Sequence, residues 1–94
     1  MVKLVHEIWQ MTDDRGRMLS ALSLAGPDGE PFRRMLRHEH EDATCVHKFE
    51  AESHFEAMTI YYRHLGRGEY SSEFPMDREP YPHEWALRQQ RGTN

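Results

Sequence analysis

The sequence predicts an α+β fold, a small two-layer sandwich in which an antiparallel sheet of three or four strands carries two helices on one face. Two apolar runs flank a glycine-bearing turn near the N-terminus, as in a β-hairpin. Residues 53–66 carry helix signals at both of their ends. The length of 94 residues suits one domain. We therefore expect residues 1–94 to fold as a unit, with a proline-rich C-terminal tail from about residue 75.

The first predicted element is the hairpin. Residues 3–11 are rich in β-branched and aromatic side chains, and residues 18–25 form a second apolar run. The polar cluster between them, residues 12–17, contains a glycine and forms the turn. Gly26 and Pro27 then end the second strand.

A short helix and a third strand follow. The helix is expected over residues 30–38, because a proline at position 31 is tolerated in the first helical turn. Its predicted inward residues are Phe32, Met35 and Leu36, and its predicted solvent-facing residues are Arg33, Arg34 and Arg37. Residues 44–51 then alternate as a strand.

The clearest element is the helix that begins after Ser53. Ser53 and Glu56 form an S-x-x-E capping box, and Gly66 most easily takes the positive φ that ends a helix. At about 100° per residue, one broad stripe collects the predicted core side chains Phe55, Met58, Tyr61, Tyr62 and Leu65. Ile60 falls almost opposite this stripe and indicates a second contact surface.

The remainder of the chain is less regular. Residues 69–74 alternate weakly and form either a fourth strand or an extended arm. Prolines then prevent regular structure until residue 82, where one helical turn starts. We expect fraying from Arg91 onward. The predicted order is β-β-α-β-α, with an extra strand if residues 69–74 join the sheet.

Charge and composition exclude several function classes. The net charge of −4 argues against non-specific nucleic-acid binding, which needs positive charge to displace counterions. No stretch approaches the roughly 20 apolar residues of a membrane span, and the apolar run before Glu7 is too short for a signal peptide. The lone cysteine, Cys45, cannot form an intramolecular disulfide. We therefore expect a cytoplasmic protein without membrane contact.

A histidine-rich segment after the first helix offers metal ligands. His38, His40 and Asp42 lie close together, and imidazole and carboxylate groups bind zinc or a similar divalent cation. His47 on the third strand could reach them only through the fold. Because the spacing fixes no third ligand, a solvated charged loop explains the same residues. No cofactor other than this divalent metal is expected.

Cys45 and His47 are two residues apart on the predicted strand, which places both side chains on one face. A thiolate and an imidazole in contact can act as a nucleophile. The alternative is a buried cysteine beside a hydrogen-bonded histidine. No signature of a cysteine enzyme surrounds the pair, so we assign no catalytic residue.

The capped helix offers a candidate anion or ligand site. His54 follows the helix cap, where free N–H groups and the helix dipole favour an anion. Tyr61, Tyr62 and His64 on the same helix could line a ligand pocket. A core aromatic cluster explains the same tyrosines, because aromatic side chains supply much of the burial in a small domain.

The first strand indicates self-association. Apolar side chains lie on both of its faces, with Ile8 on one and Trp9 on the other, whereas a hairpin with a solvated face alternates more cleanly. The open face is covered either by the proline-rich tail, through Tyr81 and Trp85, or by a second copy of the chain. A second copy gives a homodimer, with Trp9 or Ile60 near the interface. We therefore favour a non-enzymatic interaction or structural module. The alternative is a small metal- or anion-binding protein, or an enzyme, that uses the histidine cluster.

Three strings carry a resemblance: SHFEAMTIYY at residues 53–62, GEY at residues 68–70 and PYPHEW at residues 80–85. In these strings the chain resembles a set of small uncharacterised bacterial proteins. The resemblance covers nearly the whole chain and implies a bacterial origin and a stand-alone domain. It implies no particular activity and no catalytic residue.

Overall fold

The computed structural model describes residues 1–92, which form a three-stranded antiparallel sheet and three helices. In chain order these elements are β1 (Leu4–Thr12), β2 (Met18–Leu24), α1 (Glu30–Glu39), β3 (Thr44–Ala51), α2 (His54–Leu65) and α3 (His83–Gly92). Short 3₁₀ turns precede α1 and α3, at Pro27–Gly29 and Pro75–Arg78. The strand order in the sheet is β2-β1-β3. The predicted α+β fold class is confirmed, and residues 69–74 do not join the sheet.

The central strand, β1, is buried on both sides. Six of its nine residues are each at most 9% exposed. Leu4, His6 and Ile8 point to one side of the sheet, the Ile8 face, and Glu7, Trp9 and Met11 point to the other, the Trp9 face. Since large side chains project from both faces, each face needs a covering layer.

The helices supply these layers on opposite sides. α1 covers the Trp9 face, where Leu36 packs with Trp9 and Met11. α2 covers the Ile8 face, where the hydroxyl of Tyr61 donates a hydrogen bond of 3.1 Å to Ser20 Oγ. This placement differs from the expected arrangement of two helices on one face, because each apolar face of β1 has its own helix. The sheet is therefore the middle layer of three.

α1 is rotated so that Arg33 points inward. Leu36 and Arg33 are buried, whereas Phe32 and Met35, two of the expected core residues, are 37% and 45% exposed. The guanidinium of Arg33 donates to the carbonyl oxygens of Leu24 and Gly26. These carbonyls lie where β2 ends and need a donor. The expectation that Arg33 faces solvent is therefore wrong, because its guanidinium binds the carbonyl groups at the end of β2.

α2 begins and ends at the predicted residues, but the Glu56 carboxylate binds the N–H of the residue before the cap and not that of Ser53 itself. Ser53 Oγ accepts a hydrogen bond of 3.1 Å from the Glu56 N–H, and the Glu56 carboxylate accepts one of 3.0 Å from the Glu52 N–H. At the other end Gly66 has a φ of 70°. The N–H of Arg67 donates to the carbonyl of Tyr62, as in a Schellman motif.

The buried side of α2 is narrower than the predicted stripe. Ala57 and Tyr61 are its buried residues, at 0% and 7% exposure. The small side chain of Ala57 lets the helix approach the sheet closely. Phe55 and Tyr62, from the predicted stripe, instead pack edge to face on Tyr70 at 5.4 and 5.3 Å between ring centroids.

The C-terminal segment returns to the sheet and ends in α3, which is longer than the single predicted turn. The Tyr81 N–H donates to the carbonyl of Glu52 at 2.9 Å. Gln89 on α3 accepts from the Val5 N–H at 2.7 Å and donates to the carbonyl of Ala25 at 3.0 Å. α3 includes Arg91 and Gly92, where fraying was expected. The rest of that expectation concerns residues 93–94, which lie outside the described residues.

Candidate interaction surface and cleft

The two edge strands of the sheet differ in charge. β2, with the sequence MLSALSL, contains no charged residue. β3 contains Lys48 and Glu50, and its pairing with β1 has an irregular register between Ile8 and Trp9. Charged side chains and bulges discourage pairing at a sheet edge. β3 is therefore protected against a further strand, and β2 is not.

Two hydrogen bonds show which backbone groups of β2 face away from β1. The Asp13 N–H donates to Arg17 and the Ala25 N–H donates to Val5, each at 3.0 Å to the carbonyl oxygen. In an antiparallel ladder the residues that face the partner strand alternate. The odd-numbered residues of β2 therefore face β1, and the even-numbered residues turn their N–H and C=O groups outward.

Apolar side chains accompany this outer edge. Met18 is 64% exposed and Leu19 is 38% exposed. They lie at the hairpin end of β2, away from Leu24, whose carbonyl already accepts hydrogen bonds from Arg33 and Ser23. The open part of the edge is therefore residues 18–22, which we call the β2 edge.

A cleft of about 530 Å³ lies between the other end of β2, the start of α2 and the chain that leads into α3. Its lining is His6, Leu22, Ser23, Leu24, His54, Met76, Glu79, Pro80, Tyr81, Pro82 and Trp85. Tyr81 and Trp85 are in contact, with ring centroids 5.8 Å apart. Aromatic and aliphatic side chains thus form most of its walls.

A hydrogen-bonded pair, His6 and Tyr81, lines the inner side of the cleft. His6 Nδ1 lies 2.9 Å from the carbonyl oxygen of Leu4, and Nε2 lies 2.9 Å from the Tyr81 hydroxyl. Burial lowers the pKa of His6 to about 4 and raises the pKa of Tyr81 to about 12. The imidazole is therefore neutral near pH 7. Because a carbonyl only accepts, Nδ1 carries the proton and the Tyr81 hydroxyl donates to Nε2.

The four predicted metal ligands do not come together, although His40 and Asp42 both bind Thr12. His38 is exposed at the end of α1. His40 Nδ1 lies 3.2 Å from the carbonyl oxygen of Thr12, and Asp42 accepts hydrogen bonds from the N–H and hydroxyl of Thr12. The Thr12 hydroxyl holds the pKa of the Asp42 carboxyl below its usual range. Within residues 1–92, no three His, Cys, Asp or Glu side chains converge as a metal site.

Cys45 and His47 do not share a face, because the register of β3 shifts between them. Cys45 pairs with Trp9 and His47 with Ile8, and neighbouring residues of β1 point to opposite faces. Cys45 packs against the buried cluster on the Trp9 face. This corrects the expectation that thiol and imidazole lie side by side.

The predicted ligand residues of α2 also separate. His54 lines the cleft. Tyr61 bonds to Ser20, Tyr62 packs on Tyr70, and His64 stacks on His47 at 5.2 Å between ring centroids. His6, Tyr81 and Trp85 lie with His54 around the cleft, a grouping that the sequence did not indicate. The local signals were the prolines on either side of Tyr81 and the large apolar side chains of Tyr81 and Trp85 in a proline-rich segment.

The two predicted interface residues are partly or fully covered within the chain. Trp9 is 7% exposed beneath α1, and the guanidinium of Arg37 lies 5.5 Å from the centre of its ring. Ile60 is half-buried. The apolar residues of the Trp9 face are thus covered by α1. In the sequence, the run without charged residues in β2 is the feature that marks the open edge of the sheet.

No helix within residues 1–92 is both long enough and apolar enough to cross a membrane. Comparisons with protein-family models, with curated proteins and with solved structures found no match to this chain.

Proposed function

We propose that the protein is a non-enzymatic interaction module that self-associates through the β2 edge. The observation that carries the proposal is the contrast between the two edges of the sheet. β2 presents outward backbone groups, no charge and two exposed apolar side chains, whereas β3 is charged and irregular. An uncharged, apolar edge is a template for pairing with another strand.

A second copy fits this edge by symmetry. Antiparallel pairing of β2 with its own copy around a two-fold axis at Ser20 aligns outward-facing residues with one another. Met18 then lies opposite Leu22 of the second copy, on the same face of the sheet. The 64% exposed side chain of Met18 becomes covered, and the two sheets join into one of six strands.

The single cysteine supports a reducing compartment for this module. Cys45 packs in the apolar cluster on the Trp9 face and forms no disulfide. Cysteines without a disulfide partner are typical of proteins that work in a reducing interior. The proposal therefore places the module in the cytoplasm of a bacterial cell, in line with the resemblance of its sequence strings.

Sedimentation equilibrium tests the pairing with two matched variants. The wild-type chain should sediment at twice its mass of 11.2 kDa at micromolar concentration. Met18→Lys places a charge on the β2 edge and should yield the monomer. Val46→Lys makes the same change at a 42% exposed position of β3 and should leave the dimer intact. A monomeric wild type, or a dimer that only Val46→Lys dissociates, would contradict the proposal.

A further inference from the structure

We propose that the cleft beside Trp85 binds a small organic cation, an amine or ammonium group attached to an apolar body. This inference does not require pairing at the β2 edge: the two surfaces share Leu22, but Glu79, Tyr81 and Trp85 lie outside that edge. It rests on three properties of the lining: its aromatic walls, the sign of its charge, and the kind of hydrogen bond that its polar groups can still make.

The walls suit an apolar body. Leu22, Leu24 and Met76 contribute aliphatic surface, and Tyr81 and Trp85 contribute two rings inclined at 31° to each other. Aromatic faces attract cations that lie within about 6 Å of the ring centre, and Trp is the most effective. The cleft volume of about 530 Å³ is in the range of small-molecule sites.

The fixed charge around the cleft is negative. Glu79 is the one Asp, Glu, Lys or Arg side chain in the described lining. Glu56, at the start of α2, acts in the same direction, since its charge contributes to raising the pKa of Tyr81. A positive ligand group therefore meets complementary charge.

Two guanidinium groups lie near the cleft. Arg78 lies over the ring of Phe55, 4.4 Å from its centre. Arg88 forms hydrogen bonds of 3.0 to 3.3 Å with the carboxylate of Asp28, and its guanidinium lies 6.0 Å from the centre of the Trp85 ring, at the outer limit of a cation–π contact. Neither arginine lines the cleft. The carboxylate of Glu79 can therefore pair with a positively charged ligand.

Two oxygen-bearing side chains of the lining, Tyr81 and Glu79, are arranged to accept. The Tyr81 hydroxyl donates its proton to His6. Its oxygen can therefore only accept a further hydrogen bond. The carboxylate of Glu79 also only accepts. An ammonium group is a donor without acceptor capacity and matches such a set.

Three probes that share a phenylethyl body and differ in charge test the inference: 2-phenylethylamine, neutral 2-phenylethanol and anionic 3-phenylpropionate. Titrations followed by two-dimensional NMR report on the Trp85 indole N–H and the Tyr81 amide. We expect saturable shifts of these signals and at least about tenfold tighter binding of the amine than of the alcohol. Equal affinities, tighter binding of the anion, or no saturable shift with any probe would overturn the inference.

Variants distinguish the contribution of the Glu79 charge to binding from that of the aromatic walls. Glu79→Gln should reduce the preference for the amine over the alcohol, and Glu73→Gln, at an exposed position outside the lining, should leave that preference unchanged. Trp85→Leu should weaken both the amine and the alcohol. A Glu79→Gln protein that still prefers the amine as strongly as the wild type would contradict the role given to this carboxylate.

Discussion

At the scale of single residues, His6 shows how burial fixes a protonation state. Its ring stacks on Phe49 at 5.2 Å between centroids and contacts Tyr81 on another side. Loss of water around the imidazole lowers its pKa to about 4. The fold therefore stabilises the neutral ring, and both of its nitrogen atoms have hydrogen-bond partners.

This arrangement predicts that stability decreases as the pH falls from 6.5 to 4. An unfolded chain protonates His6 near its ordinary pKa of 6.5, whereas the folded chain does so only near 4. Between these values the unfolded state binds more protons, so the free energy of unfolding falls with pH, by about 3 kcal/mol over the whole interval. Urea melts across this interval measure the change.

Two substitutions test whether His6 causes this pH dependence of stability. His6→Gln removes the titrating group, and most of this pH dependence should disappear with it. His83→Gln changes an exposed histidine at the start of α3 and should retain the dependence. If the His6→Gln protein kept the full slope, another group would have to account for it.

Residue roles could be predicted where neighbours in sequence decide them. Ser53 and Gly66 terminate α2 as expected, because caps depend on a few adjacent residues. Arg33 was expected to face solvent, but the carbonyls of Leu24 and Gly26 draw it inward. The separation of Cys45 from His47 depends on a register shift against β1, which no pattern within β3 indicates.

At the scale of elements, α2 owes its boundaries to its own sequence. Ser53→Ala removes the oxygen that accepts from the Glu56 N–H and should destabilise the protein by about 1 kcal/mol. Glu56→Ala should cost less, and the double variant should cost less than the sum, because the two residues share one motif. Ser71→Ala, at an exposed position, is the control in denaturant melts. Full additivity would show that the two residues act separately.

The elements that pack locally could be predicted closely. The predicted strand over residues 44–51 has the observed bounds, and the predicted helix over residues 30–38 is one residue short of α1. Hydrophobic periodicity and turn residues are sufficient there. α3 could not be predicted at its full length, because Gln89 docks it on the backbone of Val5 in β1 and of Ala25 after β2, both far away in sequence. The cleft depends on that docking.

At the scale of the whole molecule, the C-terminal segment completes the fold. Truncation after Phe74 would remove the hydroxyl bound to His6 and the amide that bonds to Val5 and Ala25. We expect a loss of several kcal/mol, since buried polar groups are left without partners, or aggregation through the uncovered apolar surface. Thermal and urea melts measure this. A truncated protein as stable as the full chain would contradict the role of the segment.

A point substitution tests the same contact in the intact chain. Gln89→Leu keeps a side chain of similar size but leaves the backbone groups of Val5 and Ala25 without the amide, and should destabilise the protein by about 1 to 3 kcal/mol. Arg91→Leu, at an exposed position of α3, should have little effect. Equal stability of the two variants would show that the amide is replaceable.

The bond between Val5 and Gln89 joins residues 84 positions apart, and this distance has a consequence for synthesis. While the protein is being made, β1 and β2 can pair early, but the Val5 N–H at the start of β1 has no partner. That partner arrives only when α3 has left the ribosome. Because contacts between distant residues form slowly, the last step of folding should occur after translation of α3. Until then His6 and the apolar wall of the cleft remain exposed, and chaperones can bind them.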